Sequence, residues 1–206
     1  CSVLVDFGID EIRISGGEPT LRKDFESIVK GLSNLPLRKL GLTTNGFLLE
    51  GKLDFLKQTR CQHINISLDS LKEERFHEIT KTKYFEEVYN AVLQAKAKGF
   101  QVKVNVVVMR GINDDEIMDF VKFSSDHDVE VRFLELMKIG CSIQNHSYNF
   151  VPAQEIIKKI EECERLLPQS VNRDSTSFNF TASSGAKIGF IASESQPFCG
   201  FCSRLR

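Results

Sequence analysis

Near the start of the chain, Gly16-Gly17-Glu18-Pro19 stands between a β-forming run, Ile12-Arg13-Ile14-Ser15, and a helix start at Thr20-Leu21-Arg22-Lys23-Asp24-Phe25. A glycine-rich turn at the C-terminal end of a strand leaves backbone N–H groups open and sets a carboxylate beside them, a layout that binds polar ligands. Two glycines alone are weak evidence, since tight strand-to-helix turns use glycine for its backbone freedom. At the far end, Cys199-Gly200-Phe201-Cys202 places two thiolates at a spacing that chelates one metal or part of one iron-sulfur cluster, directly before Ser203-Arg204-Leu205-Arg206. Taken alone, this pair fits half of a zinc site, a redox pair or chance. The redox reading is disfavoured because the pair does not open a helix after a strand. Cys1, Cys61, Cys141 and Cys163 read as ordinary buried cysteines.

These groups need a frame, and hydrophobic periodicity supplies one. Strands are predicted over Glu11 to Ser15, Lys39 to Thr43, His63 to Leu68, Val102 to Val108 and Glu130 to Leu134, with room for a helix in each gap. Apolar stripes fill those gaps: Phe25, Ile28, Val29 and Leu32; Val88, Ala91, Val92 and Ala95; Ile117, Phe120 and Val121, the last opened by a capping-box-like Asn113 with Glu116. Such alternation predicts an α/β fold with a parallel sheet, doubly wound or closed into a barrel. After Leu134 the pattern changes. Asn145 to Pro152 reads as loop, Ala153 to Arg165 as helix, and Phe178 to Ile191 as a hairpin turning at Ser183-Ser184-Gly185, together an appended subregion packed on the sheet.

Sorted by a period of two, the strands show two unlike faces. Ile12 and Ile14 oppose Arg13 and Ser15; Ile64, Ile66 and Leu68 oppose Asn65 and Ser67; Val102, Val104, Val106 and Val108 oppose Lys103 and Asn105. A barrel with a packed interior would carry branched aliphatics on both faces. Inward Arg13 and Lys103 require anionic groups within reach. Either Glu18 and Glu130 pair with them, or the interior holds a large, negatively charged ligand; the second fits better.

The 206 residues, 41% of them hydrophobic, can bury a substantial core and suit one domain. A net charge of −1 leaves no nucleic-acid footprint. No apolar run is long enough to span a bilayer and no signal peptide opens the chain, so the expectation is a soluble protein of the cytoplasm, or of the mitochondrial matrix after processing. Six scattered cysteines do not make a disulfide scaffold in a chain of this size.

The motifs form an ordered series. Ile12 to Pro19, Thr43-Thr44-Asn45-Gly46, Asn65-Ile66-Ser67-Leu68-Asp69-Ser70-Leu71, Val102-Lys103-Val104-Asn105, Met109-Arg110-Gly111-Ile112-Asn113-Asp114-Asp115-Glu116, Arg132-Phe133-Leu134-Glu135-Leu136-Met137 and Phe198 to Arg206 together resemble the GTP 3′,8-cyclase family of molybdenum cofactor biosynthesis, within the radical S-adenosylmethionine (radical SAM) superfamily. The resemblance runs through nearly the whole chain. It implies a partial TIM-like (βα) barrel over residues 1–140 and a C-terminal α+β layer over residues 141–206 that carries the second-cluster CxxC. It also implies the reaction: a 4Fe-4S cluster reduces bound S-adenosylmethionine, the resulting 5′-deoxyadenosyl radical takes the 3′ hydrogen of GTP, and the ribose carbon closes onto C8 of guanine.

By position within that family, Gly17, Ser67 and Met137 contact S-adenosylmethionine, Met137 through its main chain. Arg13, Thr43, Lys103, Arg204, Leu205 and Arg206 contact GTP, and Cys199 and Cys202 ligate the second of two 4Fe-4S clusters. A homodimer, and a downstream cyclic pyranopterin monophosphate synthase as pathway partner, follow from the same resemblance. The family's CxxxCxxC loop for the first cluster and a further cysteine beyond Arg206 are not found here, so the chain reads as an internal fragment of the complete enzyme. Two other readings stand beside it. One is a different radical SAM enzyme with an auxiliary cluster, of the peptide-maturing type; the other is a non-catalytic, zinc-bridged α/β module.

Overall fold

The computed structural model describes residues 1–170 and 176–197, and of Cys141 and Ser142 the backbone alone. Its strands are β1 Glu11–Ile14, β2 Lys39–Thr44, β3 Cys61–Ser67, β4 Gln101–Val108, β5 Glu130–Glu135, β6 Leu166–Pro168, β7 Phe178–Ala182 and β8 Lys187–Ile191. The helices are α1 Ser2–Asp6, α2 Phe25–Ser33, α3 Leu53–Lys57, α4 Glu73–Thr80, α5 Phe85–Ala97, α6 Ile117–His127, α7 His146–Asn149 and α8 Ala153–Glu161. All five strands predicted from periodicity are present, within two residues at either end. The chain divides into two compact units, the first holding Cys1–Leu68 and Thr82–Val104 and the second Asp69–Lys81 and the chain from Asn105 onward.

In the first unit β1 and β3 flank β2, all three parallel. The two-faced pattern is realised: Leu40, Leu42, Ile64 and Ile66 are buried on one side, and Arg13, Gly41, Thr43, His63, Asn65 and Ser67 share the other. Helices α2 and α5 bury most of the stripes read from the sequence, Phe25, Val29 and Leu32 on one, with Ile28 half-buried, and Val88, Ala91, Val92 and Ala95 on the other, joined by Phe85. Fully burying each such aliphatic side chain contributes about 1.5–3 kcal/mol. Strand β4 continues the alternation, with Val102, Val104, Val106 and Val108 buried and Lys103, Asn105 and Val107 half-buried.

The second unit corrects the expectation of a subregion packed on the sheet. Strand β8 pairs parallel with β5, β7 antiparallel with β8, and β6 antiparallel with β7, so the C-terminal region extends the sheet in its own plane. Aromatic rings supply the reason. Phe133 lies 6.3 Å from Phe120 and 5.9 Å from Phe190, and Phe178 and Phe180 pack at 5.5 and 5.7 Å from Phe190. The hairpin must lie edge to edge with β5 for these rings to meet on one face. The stretch expected as loop contains α7, and α8 ends at Glu161 rather than Arg165.

Candidate functional site

The turn after β1 is built around glycine. Gly16 has φ +136°, a conformation that side chains rarely adopt, and a Cβ on Gly16 or Gly17 would meet nothing within 4 Å, so both face open space. The Glu18 carboxylate, however, is engaged. Its Oε1 accepts from the Thr20 N–H (3.0 Å), the Thr20 hydroxyl (2.6 Å) and the Thr44 hydroxyl (2.7 Å), and its Oε2 accepts from the Asn45 N–H (2.6 Å). Glu18 thereby rivets the glycine turn to the C-terminal end of β2. Thr43-Thr44-Asn45-Gly46 is the other half of that rivet, and Gly46 is required because a Cβ there would stand 3.0 Å from Ile66 Cγ2.

On the polar face of the first unit, the Arg13 guanidinium lies over Gly41, where a Cβ would come within 3.0 Å of it, and Nη1 donates to the Leu42 carbonyl at 3.2 Å. Arg13 is exposed on this face, and the Glu18 carboxylate is taken up by the threonines and the Asn45 N–H; Glu130 pairs with Arg132 at 2.7 Å. Thr43 is half-buried beside Asn65, and Ser67 is exposed at the last position of β3. Asn65 is only 7% exposed, and its Oδ1 has no hydrogen-bond partner among the described residues. Buried polar atoms of this kind are paired in the great majority of cases, so an orphan on a binding face marks a place for a ligand donor.

His63, which no sequence motif singled out, sits among these groups. Burial, then the positive charges of Lys39, Arg13 and Lys103, hold its imidazole below the usual histidine range, against an opposing pull from Glu11. The same face therefore gathers three cations and a histidine, as a polyanionic ligand needs. Cys61, fully buried, has its thiol pushed up to about 12 chiefly by burial and is inert. Cys1 and Cys163 are exposed rather than buried as expected.

In the second unit, Met137 follows β5 by two residues and is 44% exposed; its carbonyl accepts from the Ile139 N–H at 2.9 Å. Beside it lies a latch that the sequence reading missed. Glu135, 2% exposed, accepts from the Ala153 N–H (2.8 Å), the Glu194 and Ser195 N–H groups (2.9 and 2.8 Å) and the Ser195 hydroxyl. Burial pushes its carboxyl up, but the donors, the Ser195 hydroxyl foremost, outweigh that and hold it below the usual carboxylate range.

The expected capping box at Asn113 and Glu116 is instead a buried tie. Glu116, 0% exposed, accepts from the Ser70 hydroxyl (2.8 Å), the Leu71 N–H (2.8 Å) and Arg75 Nη1 (2.6 Å). Asn113 accepts from the Met109 N–H and donates to the Asp69 and Val107 carbonyls. Cys199, Cys202, Arg204, Leu205 and Arg206 lie outside the described residues. Among the described residues no group of three or more His, Cys, Asp or Glu side chains could hold a metal ion.

Comparison with known proteins names the relationship. Residues 2–124 match the Radical SAM superfamily and residues 129–206 match Molybdenum Cofactor Synthesis C. The chain belongs to the radical SAM superfamily. It is 44% identical over 203 residues to a GTP 3′,8-cyclase of Synechocystis sp., spanning 98% of this chain and 62% of that protein. It is 36% identical over 202 residues to a GTP 3′,8-cyclase of Clostridium botulinum, spanning 97% of this chain and again 62% of the relative. The chain thus spans under two thirds of the length of these curated relatives. Among solved structures, a domain of pyruvate-formate lyase-activating enzyme from Bacteroides vulgatus superposes with a TM-score of 0.58 at 16% identity, covering 72% of this chain and 88% of that domain. The shared fold is the α/β fold with a mostly parallel sheet expected from the alternating pattern. No helix among the described residues is long and apolar enough to cross a membrane.

Proposed function

We propose that this chain is part of a GTP 3′,8-cyclase, converting GTP to 3′,8-cyclo-7,8-dihydro-GTP in the first step of molybdenum cofactor biosynthesis. The observation that carries the reading is the 44% identity to a protein of that name along 98% of the chain. The residues present fit the groups such an enzyme uses. Gly17, in open space beyond β1, and Ser67, at the exposed end of β3, take S-adenosylmethionine together with Met137. Arg13, Thr43 and Lys103 take GTP from the polar face, joined by Arg204, Leu205 and Arg206. Cys199 and Cys202 ligate the second 4Fe-4S cluster, and no residue of this chain is assigned to the first.

When bound, S-adenosylmethionine and its reduced cluster supply the hydrogen-abstracting radical chemistry. The protein's own part is placement and charge. Charge-assisted hydrogen bonds of the Arg13 and Lys103 type contribute about 1.5–3 kcal/mol each, and a displacement of about 1 Å at the reacting atoms already costs roughly a hundredfold in rate. Residues 1–140 form the barrel part and 141–206 the cluster-bearing part in this proposal. A cytoplasmic homodimer that passes its product to a cyclic pyranopterin monophosphate synthase completes it.

Two measurements on the anaerobically reconstituted full-length protein test the reading. Replacing Cys199 and Cys202 together should remove one of two 4Fe-4S clusters; unchanged iron in the double variant would overturn the ligand assignment. Replacing Arg204 and Arg206 with alanine should leave iron content and reductive cleavage of S-adenosylmethionine nearly intact, yet cut the cyclised nucleotide by orders of magnitude. Full cyclase activity in that variant would falsify the substrate assignment.

A further inference from the structure

A bulge immediately precedes His63. Leu40 pairs with Cys61, but the next residue, Gly41, pairs with His63, so β3 carries one extra residue at this point. Beyond the bulge the alternation of Ile64, Asn65, Ile66 and Ser67 sets His63 on the polar face opposite Gly41, while Cys61 ahead of it pairs with Leu40 and is buried. There it completes a cross-strand row, Arg13 on β1, Gly41 on β2 and His63 on β3. The glycine in the middle leaves the slot that the Arg13 guanidinium occupies, with a Cβ at Gly41 only 3.0 Å from it. The charged groups whose fields reach the ring are Arg13 and Glu11 from β1, Lys39 from β2 and Lys103 from β4. In the next row of the same face stands Asn65, with its buried Oδ1 unpartnered among the described residues.

We propose that His63 is a proton-accepting member of the phosphate-binding face. It is neutral in the free protein and becomes an imidazolium that donates to a phosphate oxygen when a nucleoside triphosphate binds, the proton coming from solvent. The inference rests on reading this face as the GTP site. A fourth positive charge beside Arg13, Lys39 and Lys103 is unfavourable until an anion arrives, and burial adds to that cost, which is why the free imidazole is held below its ordinary value. A triphosphate reverses the sign of the local field. Binding and protonation then reinforce one another, and affinity rises as pH falls.

Calorimetric titration of the cluster-loaded full-length protein tests this, with GTP and with inorganic tripolyphosphate as separate probes, in buffers of differing ionisation enthalpy. Wild-type protein should take up more protons per bound ligand than H63Q, a difference from which the ligand's own titration cancels. Between about pH 8 and pH 6 wild-type affinity should climb above that of H63Q by up to roughly tenfold per pH unit. H63R, with a fixed charge, should bind without the extra uptake. Equal proton uptake in wild type and H63Q with GTP still bound overturns the role of His63. If H63Q fails to fold, undiminished uptake in H63R overturns it equally. Binding of tripolyphosphate with proton uptake but no binding of GTP keeps the role of His63 and overturns the nucleotide reading.

Discussion

Two carboxylates, Glu18 in the first unit and Glu135 in the second, do the same mechanical work with different materials. Each stands at the C-terminal end of a strand and gathers four donors from two segments of chain. Glu18 is half-buried, and two of its donors are threonine hydroxyls, which can rotate to another acceptor when released. Glu135 is buried, and three of its donors are backbone N–H groups at the start of α8 and in the turn after β8, which have no such freedom. Loss of the acceptor therefore weighs more in the second unit, because a hydroxyl can rotate to another partner whereas a fixed backbone N–H left orphaned where it is buried costs about 1–3 kcal/mol.

The largest expected effect is on Glu135→Ala, which strands those backbone donors together. Urea unfolding should show a loss of about 3 kcal/mol or more; a loss near that of the Glu18 variant below would break the comparison. Its pH dependence has a definite sign. The Glu135 carboxyl is held below the usual range, so its contribution is complete above the unfolded-state value of 4.5 and is lost as pH falls through the lower folded-state value.

Asp69 sharpens the contrast, since it is half-buried with a single backbone donor, the Val107 N–H at 2.8 Å, and desolvation pushes its carboxyl up to about 6. The sign reverses here. The folded state binds the extra proton, so the stabilisation is full below the unfolded value of 3.8 and is lost as pH rises through about 6. Asp69→Asn should abolish a slope worth up to about 3 kcal/mol across that interval, visible as converging wild-type and variant stabilities in acid. Parallel curves would mean that Asp69 is solvated.

The smallest effect is expected for Glu18→Gln. One oxygen is kept for the threonines, and an amide N–H meets the Asn45 N–H, at a cost of about 1 kcal/mol in thermal unfolding. Binding of S-adenosylmethionine to the full-length variant should weaken measurably, because the glycine turn loses its fixed relation to β2. Unchanged binding would mean that the turn holds its shape without the rivet.

The strands, the amphipathic helices and the polar face were legible because each is a local period. Arg13, Thr43, Ser67 and Lys103 share that face on alternation alone. Glu18 was visible through its neighbours Gly16, Gly17 and Pro19, although the use of its carboxylate was not. Glu135 gave no such signal: its partners Glu194 and Ser195 lie some 60 positions away, and no local pattern records that distance. Asn113 and Glu116 misled for a related reason. Their spacing suits a capping box as well as a tie to Ser70 and Arg75, and only the fold decides between them. His63 lies on the polar face by the same alternation as Asn65 and Ser67, but a lone histidine on a strand carries no motif, and the charges around it come from β1, β2 and β4, which only the fold brings together.

The parallel pairing of β8 with β5 also sets the order in which the protein can be made. Val131 must wait for Ile188 before the edge of β5 is covered. At about 5–20 residues per second, a ribosome leaves that edge uncovered for roughly 3–11 s in every nascent chain. A bare strand edge backed by Phe120 and Phe133 is a template for sticking to other chains. Synthesis arrested before β8 should therefore yield aggregates and a demand for chaperones, whereas synthesis carried through β8 covers the edge with the chain's own strand.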